Sequence, residues 1–278
     1  MRVARTVELG PRHRIPLTFV LAVAWSWLTG RRRSLLADAE YLVGRMNPRP
    51  VIEGEDNIPA DGRFIIVANH YNRLGLWIVL CGCAISVAVA RRRATRDDVR
   101  WVITSEWQNE RLLGLPVPAT LYRIAFGRTT RMFGMITMPV APKDVRGRAA
   151  ALLEIRSVLR PREGGRDGRQ TATLSSVVGI FPEHTEVAGL PLHEARKGTG
   201  LTFLHFSESG VPILPVGLAE IGGALRVRFG APFALQVPKG PKEDRDNAAK
   251  EKVMVAVGRV LPRDLWGFYS DAIQTAAN

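Results

Sequence analysis

Three stretches run without a polar residue: 64–68 (FIIVA), 177–181 (VVGIF) and 213–218 (ILPVGL). A strand that shows no polar/apolar alternation has both faces buried. Such strands belong to a parallel sheet covered by helices on either side. Shorter strand-like runs occur at 99–104, 135–140 and 225–229. Between the strands, apolar residues recur at helical spacing in 34–46, 145–159, 199–209 and 242–261, and 74–90 carries no charge over seventeen residues. Strands that alternate with helices predict an α/β fold with a largely parallel central sheet flanked by helices. The charged, glycine-rich stretch 160–170 reads as a surface loop, and the chain has no evident internal repeat.

The 278 residues suit one large domain or one domain with a small appendage. We place the boundary near residue 48, with an N-terminal helical pair in 1–48 and the α/β domain in 49–278. Residues 15–28 (IPLTFVLAVAWSWL) carry no charge and lie between Arg12-His13-Arg14 and Arg31-Arg32-Arg33. Fourteen residues make a helix of about 21 Å, too short for a hydrocarbon core of about 30 Å. Trp25 and Trp27 beside an arginine cluster fit a helix lying in one leaflet at the cytoplasmic face of a membrane, peripheral or monotopic. A buried N-terminal helix is the alternative. The net charge of +13 raises the encounter rate with polyanions. Anionic lipid is the partner expected. Nucleic acid is not, because no aromatic residues interleave with the basic ones and no familiar reader motif is present. Cys81 and Cys83 read as small core residues, and no histidine–carboxylate set has metal spacing.

The candidate chemistry sits just beyond the apolar strands. Asn69-His70 follows the first, and Phe181-Pro182-Glu183-His184-Thr185 closes the second. Ligands of open α/β sheets gather at the carboxyl ends of the strands. A histidine there has the right basicity to take a proton from an attacking hydroxyl. No acid follows it closely: after Asp61 the next acidic residue is Asp97. His184, beside Glu183, is either a donor in the pocket or an exposed loop histidine, while His193 and His205 read as surface or core residues.

These blocks, with Val211-Pro212-Ile213-Leu214-Pro215-Val216 and Lys197-Gly198 in the same order, resemble the glycerolipid acyltransferase family, the lysophosphatidic acid type included. The resemblance covers about residues 50–235. It implies a glycerol-3-phosphate acyltransferase-like fold, His70 as general base and Glu183 as pocket carboxylate. Substrate would be bound around Asn69, Arg73, Phe181, Pro182, His184, Thr185, Lys197 and Gly198. The donor would be acyl-CoA or an acyl carrier protein, with no cofactor and no metal.

The sequence departs from the family pattern at its charged positions. Gly75 stands where the family's His-x4-Asp block has the acid, and Val140 and Glu186 stand where it has arginines. Loss of an orienting carboxylate can cost about ten-thousandfold in rate when nothing replaces it. Loss of the arginines removes the forked donors that best grip phosphate. The expectation is therefore acyl transfer to a hydroxyl of a lipid-type acceptor other than ordinary lysophosphatidic acid. The alternative is a catalytically degenerate fold that binds lipid or acyl carrier. Glu183, Glu186 or a backbone carbonyl could take over the orienting role at His70.

Overall fold

The computed structural model describes residues 11–93, 98–104, 111–112, 115–116, 119–139, 144–160, 176–183 and 191–277. The chain begins with helices α1 (Leu17–Thr29) and α2 (Leu35–Val43), then β1 (Val51–Glu53), β2 (Phe64–Ala68), α3 (Ile78–Arg92) and β3 (Arg100–Thr104). The short strands β4 (Arg111–Leu112) and β5 (Leu115–Pro116) pair with each other, and α4 (Ala119–Phe133) leads into β6 (Ile136–Met138). Next come α5 (Val145–Val158), β7 (Val177–Ile180), α6 (Thr199–Glu208), β8 (Ile213–Ile221), β9 (Ala224–Phe229), α7 (Lys242–Gly258) and α8 (Ser270–Thr275).

Seven strands form one sheet in the order β1-β9-β8-β2-β7-β3-β6. Every neighbouring pair is parallel except β8 and β9, a hairpin turned through Gly222 and Gly223. The fully apolar β2 lies in the middle, and all five of its residues are buried. It pairs with β7 from Phe64↔Val177 to Val67↔Ile180 and with β8 from Ile65↔Ile213 to Ala68↔Val216. In these registers β2 and β7 end at the same edge. The expected α/β architecture with a largely parallel sheet is the one observed.

Helices form where apolar spacing and caps coincide. Ser34 caps α2 by accepting from Ala37 N–H at 3.2 Å, and Asp98 accepts from the next orphan donor, Leu36 N–H, at 2.8 Å. That second bond ties α2 to the segment entering β3. Leu35, Leu36, Ala39 and Leu42 bury one face of α2 in the same core as the sheet. In α7, Ala249, Val253, Met254 and Val257 do likewise at i, i+4, i+5 and i+8. The uncharged run at 74–90 begins helically only at Ile78, because residues 73–76 form a tight turn bridged between Arg73 and Leu76. From Leu80 to Ala90 every α3 residue is buried, while Leu74, Trp77 and Val79 at its start are exposed.

Five of the described elements, β1, β4, β5, α4 and α8, escaped the sequence pattern. The β1 strand pairs with β9 over only three residues, and α4 mixes arginine, threonine and glycine with its apolar residues. The predicted strand at 135–140 is observed over Ile136–Met138, and Val140 lies outside the described residues. No described helix is long and apolar enough to cross a membrane. α1 nevertheless exposes Leu17 (71%), Leu21 (59%), Trp25 (62%) and Leu28 (62%).

The seam between α6 and α7 is close enough to require glycine. A Cβ on Gly200 would run into the Asp246 carbonyl oxygen and lie 2.8 Å from the Lys250 nitrogen, both of them helix backbone that cannot swing away. Gly200→Ala is therefore expected to destabilise the protein by about 1–3 kcal/mol, measured as a lowered midpoint in chemical denaturation. An unchanged midpoint would mean that the two helices stand further apart than described.

Candidate active site at the carboxyl edge of the sheet

Three segments meet where β2 and β7 end: residues 69–73, residues 181–183 and the passage 191–198. Asn69, the first residue past β2, is buried, and its side-chain amide reproduces a peptide group. It donates to Leu218 O at 3.0 Å and accepts from Leu218 N–H at 2.7 Å. The asparagine thus extends the β2–β8 pairing by one rung and fixes the chain direction at the next residue, His70. Across the edge, Glu183 accepts from the His70 backbone N–H at 2.8 Å. The carboxylate therefore holds the backbone of His70 and leaves its ring free.

The His70 imidazole packs against aromatic rings. It meets Phe181 edge-on, with centroids 6.1 Å apart and planes at 80°. Phe181 stacks on Trp101 at 4.8 Å and 8°, and Trp101 Nε1 donates to Ser86 Oγ of α3 at 3.0 Å. Gly179 makes this stack possible, since a Cβ there would lie 2.5–2.6 Å from the Trp101 ring. A chain of contacts thus runs from α3 through β3 and β7 to the candidate base. Burial lowers the His70 pKa below its ordinary 6.5, its own carbonyl opposes that, and the nearby His193 lowers it further. At neutral pH the ring is uncharged, the form that can accept a proton.

Glu183 is 2% exposed, and burial raises its carboxyl to about 7 despite the backbone N–H groups of His70 and His193, which favour the charged form. Its Oε1 has no hydrogen-bond partner among the described residues, and neither has the buried Nε2 of His193. Two orphaned polar atoms at one site mark a place where a substrate group or proton can be received. The sequence reading set His193 aside as a surface or core residue. The structure brings it beside His70 through the passage that bridges Glu183 to Ala195. That passage is pinned by Leu192 N–H to Leu265 O (2.9 Å), Phe268 N–H to Leu192 O (2.9 Å) and Ala195 N–H to the Tyr269 hydroxyl (3.0 Å). No local motif announces His193.

Other expected residues have structural partners. Arg73 is buried and forms a two-pronged ion pair with Glu220, which also accepts from the Tyr71 hydroxyl at 3.2 Å. Its remaining donors go to Leu74 O (2.8 Å) and Pro11 O (3.0 Å). Lys197 is exposed and pairs with Glu243 at 2.7 Å. The Gly198 N–H and the Leu201 N–H both donate to Asp246, which caps α6. Pro182 is buried beside Glu183, and its carbonyl accepts from Arg196 N–H at 3.0 Å. His184, Thr185 and Glu186 lie outside the described residues. Among the described residues, no cluster of His, Cys, Asp or Glu could hold a metal.

The position of the missing acid is filled by the N-terminal segment. Gly75 has φ +87°, and a Cβ there would lie 2.6–2.8 Å from Arg12, including 2.8 Å from its Cα. His13 N–H donates to Gly75 O at 2.8 Å, so residues 11–13 lie across this turn as a strap. An aspartate does not fit without displacing that strap.

Two outcomes follow from this geometry. Gly75→Asp is expected to lower stability by about 1–3 kcal/mol, from the positive φ and the displaced Arg12, and to leave any activity no higher. A variant that is both stable and more active would show that the strap yields easily. For Glu183 the folded pKa is raised, so the folded protein keeps a proton that the unfolded chain releases above pH 4.5. Stability therefore falls as pH rises from 4.5 through 7, by an amount on the order of 3 kcal/mol. Glu183→Gln keeps an acceptor for the His70 N–H and has no charge to bury. Its stability relative to wild type should be near equal at pH 4 and greater at pH 8, as read by denaturation at both pH values.

No protein-family model matches the sequence, and no curated protein matches it. Among solved structures the chain is similar to the crystal structure of the 1-acyl-sn-glycerophosphate (LPA) acyltransferase PlsC from Thermotoga maritima. The two share 16% identity, with 88% of this chain and 89% of that chain covered, at a TM-score of 0.44.

Proposed function

We propose that this protein is an acyltransferase, moving an acyl group from a thioester donor, acyl-CoA or an acyl carrier protein, to a hydroxyl of a lipid-type acceptor. The observation that carries the reading is the joining of the Asn-His and Phe-Pro-Glu blocks at one sheet edge by the 2.8 Å bond between the His70 N–H and Glu183. In the reaction, the uncharged His70 takes the proton of the acceptor hydroxyl as its oxygen attacks the thioester carbonyl. Collapse of the tetrahedral adduct breaks the C–S bond, and the departing sulfur ends as a thiol after taking up a proton. His193 stands near enough to His70 to disfavour its charged form and so keep the base ready. Phe181, backed by Trp101, covers one side of the imidazole.

The acceptor we propose is not ordinary lysophosphatidic acid. Arg73 is engaged by Glu220, and the sequence has Val140 and Glu186 where the resembled family has its arginines. The membrane surface is where donor and acceptor would meet, with the apolar face of α1 and the exposed Leu74, Trp77 and Val79 resting in one leaflet on the cytoplasmic side.

One observation favours a second reading, in which the fold binds lipid or acyl carrier without turnover. Among the described residues no carboxylate hydrogen-bonds to the His70 ring, which has its own backbone carbonyl as partner, so no acid stabilises the imidazolium as a triad acid would.

The deciding experiment incubates the purified full chain with labelled acyl-CoA or acyl carrier thioester and a panel of alcohols and lysolipids. Transfer by wild type should fall by at least about a hundredfold in His70→Ala. The wild-type rate should be level near pH 7 and decline as pH drops below the lowered His70 pKa. Equal transfer by both proteins would remove His70 from the chemistry. Thioester binding without turnover by any acceptor would select the second reading.

A further inference from the structure

An open cleft of about 420 Å³ lies between the carboxyl ends of α1 and α4. Its walls include the apolar side chains of Trp27, Ile124 and Met132, and it receives three cations, Arg32, Arg128 and Arg131, with no carboxylate in its lining. Arg128 lies over the Trp27 ring at 5.0 Å and donates to Leu28 O at 3.4 Å. Arg131 uses its Nε to hold Gly127 O at 2.9 Å, and Trp27 Nε1 donates to Ala125 O at 3.3 Å. Backbone carbonyls therefore orient the Arg128 and Arg131 guanidiniums, and among the described residues their other N–H groups have no further hydrogen-bond partner. The adjacent Arg33 is different, being matched two-pronged by Asp38. Among the described residues none of the three cleft arginines has a carboxylate partner.

Three like charges around one concavity repel each other, and an anion in their midst removes that cost. The location narrows the choice of anion. Helix α4 leads into the parallel strand β6, so its carboxyl end lies at the amino edge of the sheet, opposite His70, and Arg33 N–H donates to Met132 O there at 2.9 Å. The cleft is thus separate from the candidate active site. It opens beside the α1 surface that exposes Trp25 and Leu28.

We infer that this cleft is a binding site for the phosphate of an anionic phospholipid headgroup in the bilayer on which α1 rests. The arginine forks take the phosphate, the apolar wall takes the glycerol and first methylenes, and α1 lies alongside in the same leaflet. Nucleic acid offers the same phosphate chemistry but would leave the Trp27–Ile124–Met132 wall and the exposed α1 residues against water. The inference rests on the membrane association proposed above and is independent of whether His70 catalyses acyl transfer.

The test is co-sedimentation of the full chain with phosphatidylcholine vesicles, with and without phosphatidylglycerol, at physiological salt. The triple variant Arg32→Gln/Arg128→Gln/Arg131→Gln is compared with Arg146→Gln/Arg156→Gln/Arg160→Gln, which removes the same charge in and just after α5. Removing one cleft cation should weaken binding to the phosphatidylglycerol vesicles about fivefold, and removing all three about a hundredfold. The α5 control should stay close to wild type. Arg32→Gln alone, in the segment between α1 and α2, gives the same reading if the triple variant folds poorly. Equal losses in the two triple variants would reduce the cleft to general charge and overturn the inference. So would wild-type binding that ignores phosphatidylglycerol, although α1 association would then stand. Wild type that binds neither vesicle would remove both the cleft and the membrane reading. A cleft-dependent preference for duplex DNA over anionic vesicles would also overturn it.

Discussion

The structure turns on the placement of β2 between β7 and β8, all three running in the same direction. Parallel pairing brings the carboxyl ends of the strands to one edge, where the polypeptide leaves the sheet and side chains from distant parts of the sequence can meet. The last rung of this pairing is made by the Asn69 amide, which takes both hydrogen bonds offered by Leu218. Without it, a peptide donor and acceptor of β8 would be buried unpaired, a cost of about 1–3 kcal/mol each. The same contact orients His70, so one side chain serves both the sheet and the site.

Two kinds of polar group line the molecule, and the difference between them separates scaffold from site. Arg73 with Glu220, Arg33 with Asp38 and Asp246 with the start of α6 are matched groups, which stabilise the turn or helix end they join. Among the described residues, Glu183 Oε1 and His193 Nε2 are buried without a partner, and the cleft arginines form no ion pair with a carboxylate. Natural folds leave few such groups unpaired. Among the described residues, Glu183 and His193 lie at the carboxyl edge of the sheet and the cleft arginines at the amino edge. One has the chemistry of proton transfer and the other that of phosphate recognition.

The strap of residues 11–13 closes over Gly75. Position 75 has a backbone conformation that suits glycine and lies against Arg12, so a larger side chain there would meet the strap. The strap also supplies Pro11 O to Arg73, which ties the N-terminal segment to the turn that follows His70. Helix α1, with its exposed apolar face, follows directly after. The candidate active site and this exposed apolar helix are therefore joined by a few residues.

Much of the frame is legible from the sequence alone. Unbroken apolar runs at 64–68, 177–181 and 213–218 require burial on both faces, which specifies a parallel sheet, and the order of the blocks places His70 and Glu183 at strand ends. Helix boundaries were legible to within a few residues where caps or prolines mark them, but β1 and α4 were not, because three residues and a mixed amphipathic pattern carry little periodic signal. Partnership was not legible at all. That Arg73 belongs to Glu220, that Glu183 grips the His70 backbone, that His193 joins the site and that Arg128 and Arg131 meet Arg32 across a cleft all depend on contacts between residues far apart in the chain. The apolar pattern records which face of an element avoids water. Which charge meets which is set when the elements pack, since Coulomb and hydrogen-bond energies depend on distances that only the folded chain defines.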